Sequence, residues 1–157
     1  MLSRKIISAS ISGSLFAIFL GLILPNPFGQ TIPSIPAYLF LAVISVPVYL
    51  MYSFPAILIY GVIASLISDK ASELLLSKTK NEKVQILISG TLHILFGLIL
   101  WPYSLGASIL FFITDRVLRR KKRSYTWGQA AKSLLIPVTV WLLFMGIVWL
   151  EHLINVN

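Results

Sequence analysis

The chain alternates long oily stretches with short polar ones. Ile6–Leu24, Tyr38–Ile67, Val84–Thr114 and Leu134–Ile154 carry almost no charge. A helix of about 20 residues crosses a hydrocarbon core of about 30 Å and satisfies its own backbone polar groups where water is absent. Each stretch is long enough to do so. The pattern predicts an all-α, polytopic transmembrane helical bundle in which residues 1–157 form a single integral membrane domain, with too little polar chain left for a soluble one.

The placement of charge sets the number of spans. All 13 Lys and Arg fall in three groups: Arg4 and Lys5; Lys70, Lys78, Lys80 and Lys83; and Arg116, Arg119–Arg123 and Lys132. A single helix over Val84–Thr114 would be about 46 Å long and would put the last group across the membrane from the others, against the positive-inside bias. The sequence Trp101-Pro102-Tyr103-Ser104-Leu105-Gly106 offers a turn at which to divide it. Five spans follow, at about 6–24, 38–67, 84–101, 103–118 and 134–154, with four as the alternative and the N-terminus cytoplasmic. Tyr38–Ile67 stays one tilted helix bent at Pro47 and Pro55, which free the carbonyls of Val43 and Met51. Asp69–Lys83 is expected as a loop with a short surface helix, and the first span as an uncleaved anchor, since Pro25-Asn26-Pro27 follows it without a small-x-small cleavage pattern.

Composition narrows the chemistry. The formal charge is +8, 57% of residues are hydrophobic and there is no cysteine, which removes disulfides and thiolate sites. Mean hydropathy is +0.89. The five acids, Asp69, Glu73, Glu82, Asp115 and Glu151, all lie at span ends or in loops, so no carboxylate pair is expected inside. Phosphate-binding glycine loops, HExxH pairs and GxSxG turns are missing. The expectation is a protein that is not an enzyme and needs no cofactor or metal.

Several faces stand out. Ala9, Gly13, Ala17 and Gly21 recur every four residues and form a small-residue ridge, suited to packing against this chain's own second or third span, or to a dimer. Gln85, Ser89, His93 and Gly97 make a polar stripe on the third span. An imidazole there could shuttle protons or hold a metal, but with no acidic partner nearby the expectation is that His93 donates to a carbonyl freed by the prolines and locks two helices. Ser45, Tyr49, Tyr52, Ala56 and Tyr60 share a face of the second span that packs inside the bundle or lines a cavity. Arg119, Arg120, Lys121, Lys122 and Arg123 adjoin a span, which makes them a topology signal and a contact for anionic lipid headgroups rather than a nucleic-acid site.

The segment from Ser45-Val46-Pro47-Val48-Tyr49 to Tyr60-Gly61-Val62-Ile63-Ala64-Ser65-Leu66-Ile67-Ser68-Asp69 resembles a family of small, uncharacterised multi-pass membrane proteins of bacilli, over about residues 38–69. The resemblance implies a bacterial cell membrane and transfers no catalytic residue; the last span and the Arg119–Arg123 run lie outside it. The expected role is non-enzymatic, exercised through contacts with lipid, with another copy or with another membrane protein. The alternatives are a small transporter or channel component built around Pro47, Pro55, the tyrosines and His93, and a membrane-bound immunity or regulatory protein that holds a peptide or a partner enzyme.

Overall fold

The computed structural model describes residues 1–29, 31–75, 82–99, 102–121 and 124–156. Among these there is no strand. The helices are α1 (Leu2–Ile23), α2 (Ile35–Ala56), a π-helical segment (Ile57–Gly61), α3 (Val62–Leu75), α4 (Glu82–Ile99), α5 (Pro102–Lys121), α6 (Trp127–Ser133) and α7 (Leu135–Val156). Three helical stretches are long and apolar enough to cross a membrane, Leu2–Ile23, Ile35–Leu74 and Trp127–Ile154, and Val84–Ile99 is a shorter apolar helix.

Local chemistry sets the boundaries. α1 ends before Pro25, with Leu24 N–H closing on Leu20 O at 2.8 Å. Ser34 caps α2 by accepting from Ala37 N–H at 3.4 Å, and Pro36 follows in the first turn, where its missing N–H costs nothing. Thr126 and Gln129 form a reciprocal capping box at the start of α6. Pro137 cannot donate to Ser133 O, and the helix breaks at Leu134 between α6 and α7.

One boundary differs from the sequence expectation. Helix continues from Ile35 through the π segment to Leu75, so Asp69 and Ser72 lie within a helix rather than a loop; of the stretch within Asp69–Lys83 where a short surface helix was expected, the part up to Leu75 is the end of α3 and residues 76–81 fall outside the described set. The two Pro residues do not end the helix, because adjacent turns still bond across them, and the register widens to π just after Pro55. α4 stops at Ile99 and α5 starts at Pro102, so helix boundaries fall close to the expected division between 84–101 and 103–118, with Leu100 and Trp101 outside the described residues.

α1 occupies the centre, against α2, α3, α5, α6 and α7, while α4 packs on α3 and α5. The small-residue ridge makes the α1–α2 approach close. A Cβ on Gly21 would stand 2.8 Å from Val46 Cγ2 and 3.1 Å from Ala42 O, and one on Gly13 would be 3.0 Å from Phe54 Cδ2. Ala9 and Ala17 are fully buried. The ridge Ala9–Gly13–Ala17–Gly21 therefore faces within the chain.

Candidate functional site: a charged base beneath an apolar chamber

The N-terminal end of α1 and the facing ends of α3 and α5 share a network of buried ion pairs. Lys5 is 0% exposed. Its ammonium has three N–H groups, and three acceptors surround it: Ser65 Oγ at 2.5 Å, Asp69 Oδ2 at 2.6 Å and Asp115 Oδ2 at 2.8 Å. Arg4 grips Asp115 with both arms, Nε to Oδ1 at 2.7 Å and Nη2 to Oδ2 at 3.3 Å. Asp69 also accepts from Ser89 Oγ at 3.0 Å and lies 3.4 Å from Arg116 Nη2. Asp69 and Asp115 are both buried.

This overturns two expectations. Arg4 and Lys5 are turned inward, not left at the membrane surface, and two carboxylates do lie inside the bundle. The physical reason is mutual: Lys5 between Asp69 and Asp115 neutralises the repulsion that would keep two acids apart, and each acid offsets the desolvation of the cation. The sequence held a faint signal. Asp69 is flanked on its own helix face by Ser65 and Ser72, each one turn away, and Lys5 by Ser8 one turn and Ser12 two turns away.

Above the base lies a cavity of about 460 Å³ within the range of small-ligand sites, roughly 300–1,000 Å³. Phe16 and Leu20 of α1, Ala64 of α3, Phe96 of α4 and Ala107 and Phe111 of α5 give it apolar walls. The π segment contributes Tyr60 and Gly61, so the widened turn after Pro55 forms part of the wall. Tyr49 and Tyr60 line it but spend their hydroxyls on backbone acceptors, Leu24 O at 2.8 Å and Phe96 O at 2.9 Å. Tyr38 and Ser104 likewise bond to Leu22 O and Gly97 O.

His93 sits where chamber and charged base meet. It is 95% buried, with 5% of its surface exposed, and lies 5.2 Å from the Phe112 ring and 6.3 Å from that of Phe111, centroid to centroid. Nδ1 is 2.8 Å from Ser89 O. A carbonyl only accepts, so Nδ1 carries the proton and the neutral ring leaves a lone pair on Nε2. That Nε2 is buried without a partner, and so is Ser53 Oγ, which lines the same cavity from α2. The bond expected from His93 to a proline-freed carbonyl of the second span is replaced by one to its own helix, because α4 packs on α5 and α3 rather than on α2, which carries the prolines.

Other singled-out residues separate. Ser89 belongs to the charged base, Gln85 borders a second pocket at that end, and Tyr52 is 76% exposed on the outside of α2, away from Tyr49 and Tyr60. Arg119, Arg120 and Lys121 are exposed in the last turn of α5, where cations complement the helix dipole; Lys122 and Arg123 lie outside the described residues. Among the described residues no group of three or more His, Asp or Glu could hold a metal. Neither protein-family models, nor curated proteins, nor solved structures give a match to this chain.

Proposed function

We propose that the chain is a five-span protein of a bacterial cell membrane, N-terminus cytoplasmic, that acts as a small transporter component without catalysing a reaction. Its cargo is an apolar molecule with one hydrogen-bond donor, held in the chamber between α1, the π segment, α4 and α5. The observation that carries this reading is His93 Nε2, a buried lone pair without a donor, lining a cavity whose walls are mostly apolar and in which Ser53 Oγ is the other unpartnered polar atom among the described residues. Leaving such an acceptor dry costs about 1–3 kcal/mol, which a ligand hydroxyl or N–H would recover. A helix widened to π at the wall and a charged layer at one end also suit a small-molecule site within a bundle. The bilayer with anionic headgroups is the constant partner, and contact with another copy or another membrane protein is compatible with the wide apolar surface of α7.

Binding is tested in vesicles with a photoreactive long-chain alcohol. Cross-linking is expected on peptides holding Phe96 and Ala107, with competition by the unlabelled alcohol but not by its methyl ether, and it is lost in His93→Leu. Labelling confined to outward residues such as Leu95 and Leu98, indifferent to His93→Leu, would remove the reading. The topology is tested by reporters fused after Lys80, Lys121 and Asn157, expected inside, inside and outside.

A further inference from the structure

A second pocket, about 700 Å³, opens at the charged end and is separate from the chamber. Four arginines line it, Arg4 from α1 and Arg116, Arg119 and Arg120 from α5, against two carboxylates, Asp69 and Glu73. Lys5 and Asp115, just behind, cancel each other at 2.8 Å. The side-chain balance is thus four positive against two negative, an excess of two charges in a partly enclosed space. We infer that this vestibule binds the phosphate of a membrane lipid, a phosphomonoester headgroup.

Three features point to that chemistry. First, the guanidinium of Arg116 is only partly used: Nη2 reaches Asp69 Oδ1 at 3.4 Å, while Nε is buried with no partner. The guanidinium plane is steadied by Phe112, whose ring centre lies 5.1 Å from Cζ. A fork of this kind, held flat with an N–H unfilled, matches the geometry of phosphate oxygens. Second, Arg119 and Arg120 are exposed beside it and pair with no carboxylate among the described residues. A phosphomonoester carries about −1.5 to −2 charges near neutral pH, the complement of the excess.

Third, the other walls are oily. Ile113 and Val117, one turn apart on α5, are about half exposed on the flank of the bundle, and Ile86 and Phe112 continue the apolar side inward. A free anion gains nothing from such a flank, whereas a lipid would lay its acyl chains along Ile113 and Val117 and reach its phosphate into the arginines. This separates the site from the general attraction of surface lysines for an anionic leaflet.

The test uses the full chain in a non-ionic detergent, given equal amounts of phosphatidic acid and phosphatidylcholine of one acyl length, with bound lipid counted by native mass spectrometry. Phosphatidic acid is expected to be retained about tenfold over phosphatidylcholine, and Arg119→Gln with Arg120→Gln, both at exposed positions, to abolish that preference. Lys121→Gln, which removes a neighbouring charge outside the pocket, is expected to keep it. Arg116→Lys, which keeps charge but removes the fork, is expected to weaken it several-fold. Equal retention of both lipids, or the same loss in Lys121→Gln as in the double variant, would overturn the proposal. Complete stripping of the lipid by millimolar inorganic phosphate would assign the arginines to a soluble anion and overturn the lipid source. The chamber plays no part in this experiment, so its outcome stands apart from that of the alcohol labelling.

Discussion

α1 and the α6–α7 arm are equally oily, with a mean hydropathy of 2.2 over the most apolar stretch of each, yet 56% of that stretch is buried in α1 and 11% in the arm. Hydropathy therefore sorts chain into lipid but does not say which helix stands in the middle. Small and hydroxylated side chains do. α1 buries Ser3, Ser8, Ser10, Ser12 and Ser14 together with its Gly and Ala ridge. Ser8, Ser10 and Ser14 return their hydroxyls to carbonyls four residues back, at 3.0, 3.0 and 2.9 Å, which hides their polarity while keeping the helix slim. α7 instead shows Leu142, Leu143 and Trp149 outward, the residue types that lipid tails accept as readily as protein.

The contrast can be broken from either side. The largest effect is expected from Lys5→Met, which leaves Asp69 and Asp115 buried without their shared cation: about 3–5 kcal/mol of stability lost, enough to prevent recovery of a monodisperse chain, as read by SDS-titrated unfolding in mixed micelles. Next comes Gly21→Leu, expected to cost about 1–3 kcal/mol in the same titration because Val46 and the Ala42 carbonyl already fill the space. Its counterpart Gly146→Leu in α7 meets nothing within 4 Å, and a change within about 0.5 kcal/mol is expected. If the two glycine variants lost stability equally, α7 would be as central as α1 and the comparison would fail. The smallest effect is expected from His93→Leu, with stability unchanged or slightly higher since an unpartnered acceptor disappears, while alcohol labelling is lost.

Much of this architecture is legible in the residues, and the parts that are not share a cause. Apolar runs locate the helices, because burial of backbone polar groups in lipid allows little else. The stripe at Gln85, Ser89, His93 and Gly97 does mark one side of α4, but its three polar members serve three different places: the vestibule, the charged base and the chamber, which Gly97 also lines. The charged base itself stays hidden, because Lys5, Asp69 and Asp115 come from three distant segments and each sits near a span end, where a charge ordinarily reaches out to the headgroups. Only the packing of α1 against α3 and α5 turns them toward one another. Tyr52 illustrates the reverse: spacing places it on the face of Tyr49 and Tyr60, and its angle about the helix axis places it outside.

Lys5 and Asp115 meet across 110 residues of sequence. A ribosome finishes the first helix long before the second acid exists, so early in synthesis the ammonium lacks its complete set of acceptors. Arrival of α5 supplies the missing one. The acceptor set of Lys5 thus closes only when Asp115 has joined Ser65 and Asp69 around the ammonium.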